Sequence, residues 1–285
     1  MKPADFPDPE LASPNSGHSE RLVLRSGQDA TGRQELDKLA QEMPVALEYN
    51  GLAHATLLAT PSDLEDLALG FSFTEGIIRG ASDLYDLEIS ETPKGFIIQA
   101  TIASACLNTL KQRRRNLAGR TGCGLCGIES LDEVRRSLPP LPNRKTRVHP
   151  AAVVKATEQL RANQPLHLLT GATHAAGWAD SDGNIQHVRE DVGRHNALDK
   201  LIGHLLRQSA DTTDGLAVIS SRASFEMVQK AASAGISALI AVSAPTTYAV
   251  AMADELNVLL AGFARQQLFT VYSHPEYLST TGDLP

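Results

Sequence analysis

Short apolar runs that end at turn signals dominate the first half of the chain. Two strand-type runs flank Asn50-Gly51, a dipeptide that favours the tight turn of an antiparallel hairpin. A second hairpin is predicted around Lys94-Gly95 from the apolar residues on both sides. Between the hairpins, apolar residues at helical spacing follow a Pro-Ser-Asp start with an acidic first turn. Residues 61–76 should therefore contain a helix that is capped at its beginning.

The second half of the chain has longer apolar runs that alternate with helical segments, after a Pro-rich boundary at residues 138–142. A helix is expected from Pro150, and we interpret the apolar run at 166–169 as a strand that leads into a bend at His174. Strand-type and helix-type segments then alternate in the order LAVISS, SFEMVQKAASAG, ALIAVSA, PTTYAVAMADEL and NVLLAGFAR. Continuous apolar strands between helices are typical of a parallel sheet covered by helices.

These patterns predict an α/β protein with three parts. Residues 143–285 should form a mixed sheet flanked by helices, and residues 21–142 a smaller, β-rich α+β portion. Residues 1–20 contain several prolines and few apolar side chains, so a disordered tail is expected there.

Composition narrows the functional classes. With 285 residues, 42% of them hydrophobic and 21% charged, the chain resembles an ordinary globular protein. Its net charge of −7 argues against a nucleic-acid partner, so an anionic ligand would need a local basic patch. No run approaches the roughly 20 apolar residues of a membrane span. Three cysteines do not form a disulfide framework, and we expect a cytoplasmic location.

Two of the three cysteines, Cys123 and Cys126, lie in the loop Thr-Gly-Cys-Gly-Leu-Cys-Gly at residues 121–127. A Cys-x-x-Cys turn lowers a thiol pKa, and the flanking glycines leave the sulfur atoms accessible. A structural zinc site would need two more ligands with matching spacing, and a redox pair would be expected in a thioredoxin-like unit. Carriage of a persulfide needs only an exposed, nucleophilic loop, so this interpretation is favoured. Cys106, in an Ala-rich stretch, is expected to fill the core or an interface.

Polar residues follow the three predicted parallel strands, at 220–222, 243–247 and 263–266. Because carboxyl ends of parallel strands meet at one edge, these hydroxyls and arginines predict a phosphate-binding edge there. The alternative is that Ser224 and Thr246 only cap helices. The segment 190–200 is dense in ionisable residues, and His195 is a candidate proton shuttle or cofactor contact. Within the same segment, Asp191 or Asn196 could instead serve as a helix cap.

Several motifs together resemble the FdhD family over about residues 21–275: FTEGII, CGLCG, TGATHAA, EDVGRHNALDK, SSRASFEMVQKAASAG, VSAPTTYAVAMA and GFARQQLFTVYSHP. The resemblance implies a sulfurtransferase that carries sulfur needed for formate dehydrogenase activity. Members accept persulfide sulfur from a cysteine desulfurase and pass it to a molybdenum or tungsten bis(molybdopterin guanine dinucleotide) cofactor. It also implies a homodimer and a main domain like cytidine deaminase.

The family's site residues map onto specific positions of this chain. The resemblance implies that Cys123 holds the persulfide while Cys126 assists, and it places cofactor contacts at Phe263, Ala264, Arg265, Gln266, Gln267 and Leu268. Arg222 and Ser243 are added from the strand-end argument, and His195 is added from the dense ionisable segment 190–200.

Two alternatives to the sulfur carrier remain open. One is an insertion chaperone that binds the cofactor without transferring sulfur. The other is a zinc deaminase, which would need His-x-Glu and Pro-Cys-x-x-Cys. Here His174 is followed by two alanines and Cys123 is preceded by Gly122, so no metal is predicted.

Overall fold

The structure is a computed structural model that describes residues 17–27, 32–120 and 135–279, without the side chains of 114–120. The Cys-x-x-Cys loop and residues 1–16 of the predicted tail lie outside the described residues. The first strand begins at His18, within the segment predicted as a tail. No helix in the described ranges is long and apolar enough to cross a bilayer.

A six-stranded mixed sheet forms the centre of the second half, in the order β12-β11-β10-β9-β7-β8. Its strands are β7 (His174–Ala179), β8 (Ile185–Asp191), β9 (Leu216–Ile219), β10 (Ala238–Ala241), β11 (Leu259–Arg265) and β12 (Leu268–Ser273). Strands β9, β10 and β11 are parallel, as predicted, whereas β7 and β12 run antiparallel to their neighbours. All residues of β9 and β10 are buried, which explains their uninterrupted apolar sequences.

Helices cover both faces of this sheet. Helices α5 (Arg194–Arg207), α6 (Phe225–Ser233) and α7 (Thr247–Leu256) contribute Leu201, Met227 and Met252 to one hydrophobic cluster. On the other face, α3 (Pro150–Ala162) contributes Val153 and Leu160 to a second cluster. The prediction of a mixed α/β architecture is confirmed, while the likeness to cytidine deaminase and the domain boundaries stay predictions.

One predicted strand is wrong. The apolar run at 166–169 lies in a short helix, α4 (Pro165–Thr170), and the strand begins only at His174. The helix forms because Pro165 occupies its first turn and the Glu190 carboxylate accepts hydrogen bonds from the backbone N–H groups of Leu166 and His167, at 2.9 and 2.7 Å.

The first half contains two further sheets. Strands β1 (His18–Arg25) and β2 (Arg33–Ala40) form an antiparallel pair. A four-stranded sheet has the order β4-β3-β6-β5, with β3 (Met43–Tyr49), β4 (Leu52–Ala59), β5 (Leu84–Thr92) and β6 (Gly95–Ile102). Both predicted hairpins, β3–β4 and β5–β6, are confirmed as antiparallel pairs. Helix α2 spans Ser104–Arg120 and leads toward the undescribed cysteine loop.

Helix α1 (Leu64–Thr74) joins the two halves by packing against α5. The backbones touch at two glycines, because a Cβ on Gly70 would lie 1.8 Å from the Asp199 carbonyl oxygen and one on Gly203 would lie 1.9 Å from that of Asp66. The predicted helix is confirmed, but its predicted cap is not. Asp63 makes no capping hydrogen bond at the helix start, and it adopts a left-handed conformation with φ 52°.

Candidate functional site

The three predicted strand ends lie side by side at the carboxyl edge of the parallel strands. The backbone N–H of Phe263 donates to the Ser243 carbonyl at 3.1 Å, and that of Ala223 donates to the Ala244 carbonyl at 3.2 Å. Ser243 and Arg222 are both exposed at this edge. These contacts place exposed hydroxyl and guanidinium groups of β9, β10 and β11 on one continuous surface.

The end of β11 and the turn that joins it to β12 have an unusual backbone. Phe263, Gln266 and Gln267 have φ values of 53°, 52° and 63°, a left-handed conformation that is uncommon outside glycine. The Arg265 guanidinium lies 5.9 Å from the centre of the Phe263 ring, within cation–π range. Such strained residues cluster at ligand-binding sites, which makes this turn a candidate site on structural grounds as well.

The side chains of the segment from Phe263 to Leu268 divide into buried and accessible groups. Ala264 is buried, whereas Phe263 is 41% exposed and Leu268 74% exposed. Large apolar side chains at such exposure offer a surface on which a planar base can stack. The predicted segment from Phe263 to Leu268 therefore presents an aromatic ring, a guanidinium and backbone groups together.

The two predicted helix caps differ. Thr246 Oγ1 accepts a hydrogen bond from the Ala249 N–H at 3.2 Å, so the prediction of a cap is confirmed for α7. Ser224 occupies the same position in α6, but its side chain makes no capping bond, and its Oγ is buried without a hydrogen-bond partner. The cap interpretation is therefore wrong for Ser224.

Much of the ionisable segment 190–200 is structural. Lys200 Nζ lies 2.6 Å from Asp191 Oδ2, and both side chains are fully buried. Lys200 also donates to the Thr60 carbonyl at 2.9 Å, and Asp191 accepts from the backbone N–H of Thr60 and Gly193 at 3.0 and 2.8 Å. Asn196 donates to Asp191 Oδ1 at 3.0 Å. These contacts tie the start of α5 to the segment before α1.

Two histidines remain near the carboxyl edge. His195, in the first turn of α5, places Nε2 3.0 Å from Glu226 Oε2 on α6. Burial lowers the pKa of His195; Glu226 opposes this shift, and Arg194 adds to it. Burial and then Arg194 also lower the pKa of His174, which starts β7 beside the end of β8. Sequence reasoning did not select Arg194, although it lies in the dense segment.

Cys106, which lies within the described residues, is buried as predicted. Cys106 is 5% exposed, and its Sγ lies 3.4 Å from Asp83 Oδ2. Cys106 belongs to a hydrophobic core cluster, which confirms that it fills the core. Burial also raises the pKa of this thiol. Cys123 and Cys126 lie outside the described residues. Within the described ranges, no three His, Cys, Asp or Glu side chains converge as a metal site. The cysteine loop lies outside those ranges, so the absence of a metal there stays a prediction.

Comparison with known proteins identifies the family. The sequence pattern of the FdhD/NarQ family matches residues 40–279. The chain belongs to the FdhD/NarQ family. This FdhD/NarQ chain is 56% identical over 257 residues to the sulfur carrier protein FdhD of Bordetella petrii, covering 90% of this chain and 92% of that protein. It is 52% identical over 248 residues to the sulfur carrier protein FdhD of Cupriavidus necator, covering 87% and 86%.

A solved structure shares the fold of this FdhD/NarQ chain. A crystal structure described as that of a formate dehydrogenase accessory protein from Desulfotalea psychrophila is similar with a TM-score of 0.70 and 22% identity. The similarity covers 92% of this chain and 99% of the other. At this identity the likeness shows the fold only.

The structure brings together most of the predicted cofactor-binding residues of the FdhD/NarQ chain. Phe263 to Leu268, Ser243 and Arg222 share one edge, where β11, β10 and β9 end. His195 follows β8, which is four strand positions from β11, and its ring contacts Glu226 on α6, the helix that follows β9.

Proposed function

We propose that this protein is a sulfur carrier that loads Cys123 with persulfide sulfur from a cysteine desulfurase and passes it to the molybdenum bis(molybdopterin guanine dinucleotide) cofactor for formate dehydrogenase. Family membership and relatives that are named sulfur carrier protein FdhD support sulfur carriage. The structural neighbour described as a formate dehydrogenase accessory protein supports the connection to that enzyme.

The loading step is a thiol exchange. The Cys123 thiolate attacks the outer sulfur of the desulfurase persulfide, forming a new S–S bond as the old one breaks. The desulfurase leaves as its thiolate, so no external oxidant or reductant is needed. A glycine-flanked Cys-x-x-Cys segment suits this role because only the thiolate is nucleophilic. Cys126 is proposed to assist turnover from three positions away.

The cofactor is proposed to bind at the carboxyl edge of the parallel strands. Phe263 offers a ring for the guanine base, and Arg222 and Ser243 offer a guanidinium and a hydroxyl for phosphate oxygens. The observation that supports this assignment is the backbone contact between Phe263 and Ser243, which brings the ring and the hydroxyl to neighbouring strand ends; Arg222 is joined to them through the contact between Ala223 and Ala244. The cofactor is the bound substrate of the protein in this proposal, because it receives the sulfur and is then handed on.

A second candidate function shares the same edge. An insertion chaperone would bind the cofactor through Phe263 to Leu268 and deliver it without transferring sulfur. The exposed, strained turn between β11 and β12 is compatible with both functions. A homodimer and a cytoplasmic location belong to the proposal, the first from the family resemblance and the second from the cysteine content.

Sulfur loading separates the two candidates. The full chain is incubated with a cysteine desulfurase and cysteine without reductant, and its peptides are weighed by mass spectrometry. We expect one added sulfur on the peptide that contains Cys123, and none in Cys123→Ser. Cys126→Ser is the matched control, because it removes a neighbouring thiol but leaves the proposed acceptor. An unmodified Cys123 peptide in the wild type would exclude the carrier and favour the chaperone.

A further inference from the structure

Strands β1 and β2 form an arm in which no side chain is buried. This β1–β2 arm consists of His18–Arg25 and Arg33–Ala40, and within the described ranges each strand pairs only with the other. A hydrogen bond from the Gln41 N–H to the Gly17 carbonyl, at 2.8 Å, closes its base. A two-stranded hairpin on its own is at best marginally stable in water. The arm therefore lacks the packing partner that would stabilise it.

One face of the β1–β2 arm is apolar. Leu22 and Leu36 are directly paired across the two strands, and Leu24 lies on the same face two residues along β1. Leu22, Leu24 and Leu36 are 58%, 67% and 68% exposed. Neighbouring apolar side chains at such exposure are typical of a surface that contacts another protein.

The outer edge of β1 is open as well. Among the described residues β1 forms a ladder with β2 and with no other strand, whereas β2 also packs against α4. An unpaired edge strand of eight residues is a template for a further antiparallel strand. A two-fold axis perpendicular to the strands brings β1 of a second copy alongside in antiparallel orientation. The backbone of β1 is therefore complementary to itself.

The charges of the arm also fit a second copy. The arm has four basic and three acidic residues in a chain whose net charge is −7, which reduces repulsion where two acidic chains meet. A two-fold axis at Leu22 places this leucine opposite its counterpart and Arg21 opposite Val23. No two charged side chains of β1 are then directly opposed. An axis at Val23 would instead oppose Arg21 and Arg25, which is destabilising.

We propose that two copies of this chain pair through β1 about a two-fold axis at Leu22, which joins their two-stranded arms into one four-stranded antiparallel sheet. The inference rests on the proposed function for the homodimer and names the surface that forms it. Pairing brings Leu22 and Leu24 of both copies together, so that apolar surface is buried between them. A sheet of three or more strands with an apolar face is stable where a lone hairpin is not.

Size-exclusion chromatography with light scattering on the full chain tests the contact. The wild type should have twice the mass of one chain. Leu22→Arg should raise the dimer dissociation constant at least about a hundredfold, because two buried leucines are lost and two like charges are opposed. Tyr85→Arg is the matched control, since Tyr85 is 67% exposed on β5, outside the arm, and should dimerise as the wild type does. A monomeric wild type, or an unchanged dissociation constant for Leu22→Arg, would overturn the proposal.

Disulfide cross-linking tests the register without relying on a loss of binding. Leu22→Cys, in a chain that also carries Cys123→Ser and Cys126→Ser, should give a covalent dimer on oxidation. Opposed Cα atoms of antiparallel strands lie about 4.5–5.5 Å apart, within the range of a disulfide. Leu36→Cys is the matched control, because the two copies of β2 would lie about 14 Å apart at ~4.8 Å per strand. Equal cross-linking of the two variants would overturn pairing through β1.

Sulfur loading separates failure of this inference from failure of the proposed function. A monomeric wild type whose Cys123 accepts sulfur from the desulfurase would overturn the β1 contact and leave the carrier standing. A wild type that cross-links through Leu22→Cys but leaves Cys123 of the parent chain unmodified would refute the carrier and leave the β1 contact standing.

Discussion

Replacing Lys200 with methionine tests the interpretation that a buried ion pair holds the start of α5 in place. Lys200 Nζ lies 2.6 Å from Asp191 Oδ2, and neither side chain has exposed surface. Methionine has similar length and no charge, so the substitution removes the cation with little change in volume. Asp191 would then keep its bonds to Thr60 and Gly193 but lose its only close cation among the described residues.

The expected loss follows from the burial of the pair. Breaking a buried ion pair from one side costs about 3–5 kcal/mol, because the remaining charge stays desolvated. That is a large share of the ~5–15 kcal/mol by which native proteins are stable. The double variant Asp191→Asn with Lys200→Met should lose less than the sum of the two single variants, since no unpaired charge remains.

Urea unfolding followed by circular dichroism at neutral pH measures these free energies of unfolding. Lys155→Met is the matched control, because Lys155 is exposed on α3 and should change stability by less than about 0.5 kcal/mol. A Lys200→Met protein within about 1 kcal/mol of the wild type would refute the reasoning. If the stability losses of the two single variants add up to the loss of the double variant, the side chains of Asp191 and Lys200 are not coupled.

Three further predictions follow from burial. Gly203→Ala should destabilise the protein by at least about 1–3 kcal/mol, because the new Cβ would lie 1.9 Å from the Asp66 carbonyl oxygen. Gly27→Ala is the control and should not destabilise it, because a Cβ at that position would meet nothing within 4 Å. Urea unfolding compares the two variants. Burial raises the pKa of Tyr49, so the stability that this side chain contributes is present below the unfolded pKa of about 10 and is lost at higher pH. Between pH 8 and 11 the Tyr49→Phe protein should therefore lose less free energy of unfolding than the wild type. An equal loss in the two proteins would contradict this prediction. Iodoacetamide should label Cys106 only after unfolding, because the thiol is 5% exposed and its pKa is raised; labelling of the native protein would contradict its burial.

Local sequence patterns determined the elements that depend on neighbouring residues. The Asn50-Gly51 turn specifies its hairpin because both residues accept positive φ, here 49° and 77°. The parallel strands could be predicted because both faces of each are buried, which demands unbroken apolar runs. The shared edge of Arg222, Ser243 and Phe263 followed from that topology. The assignment of Cys123 and Cys126 rests on the sequence alone.

Only the tertiary structure decided features that depend on distant partners. The apolar run at 166–169 became a helix because Glu190, more than twenty residues later, accepts its first N–H groups. The sequence marked segment 190–200 as unusual but could not separate its members. Asp191 and Lys200 neutralise each other inside the protein, while the Nε of Arg194 is buried without a hydrogen-bond partner among the described residues. Pairing is set by three-dimensional distance, which residue spacing along the chain does not contain.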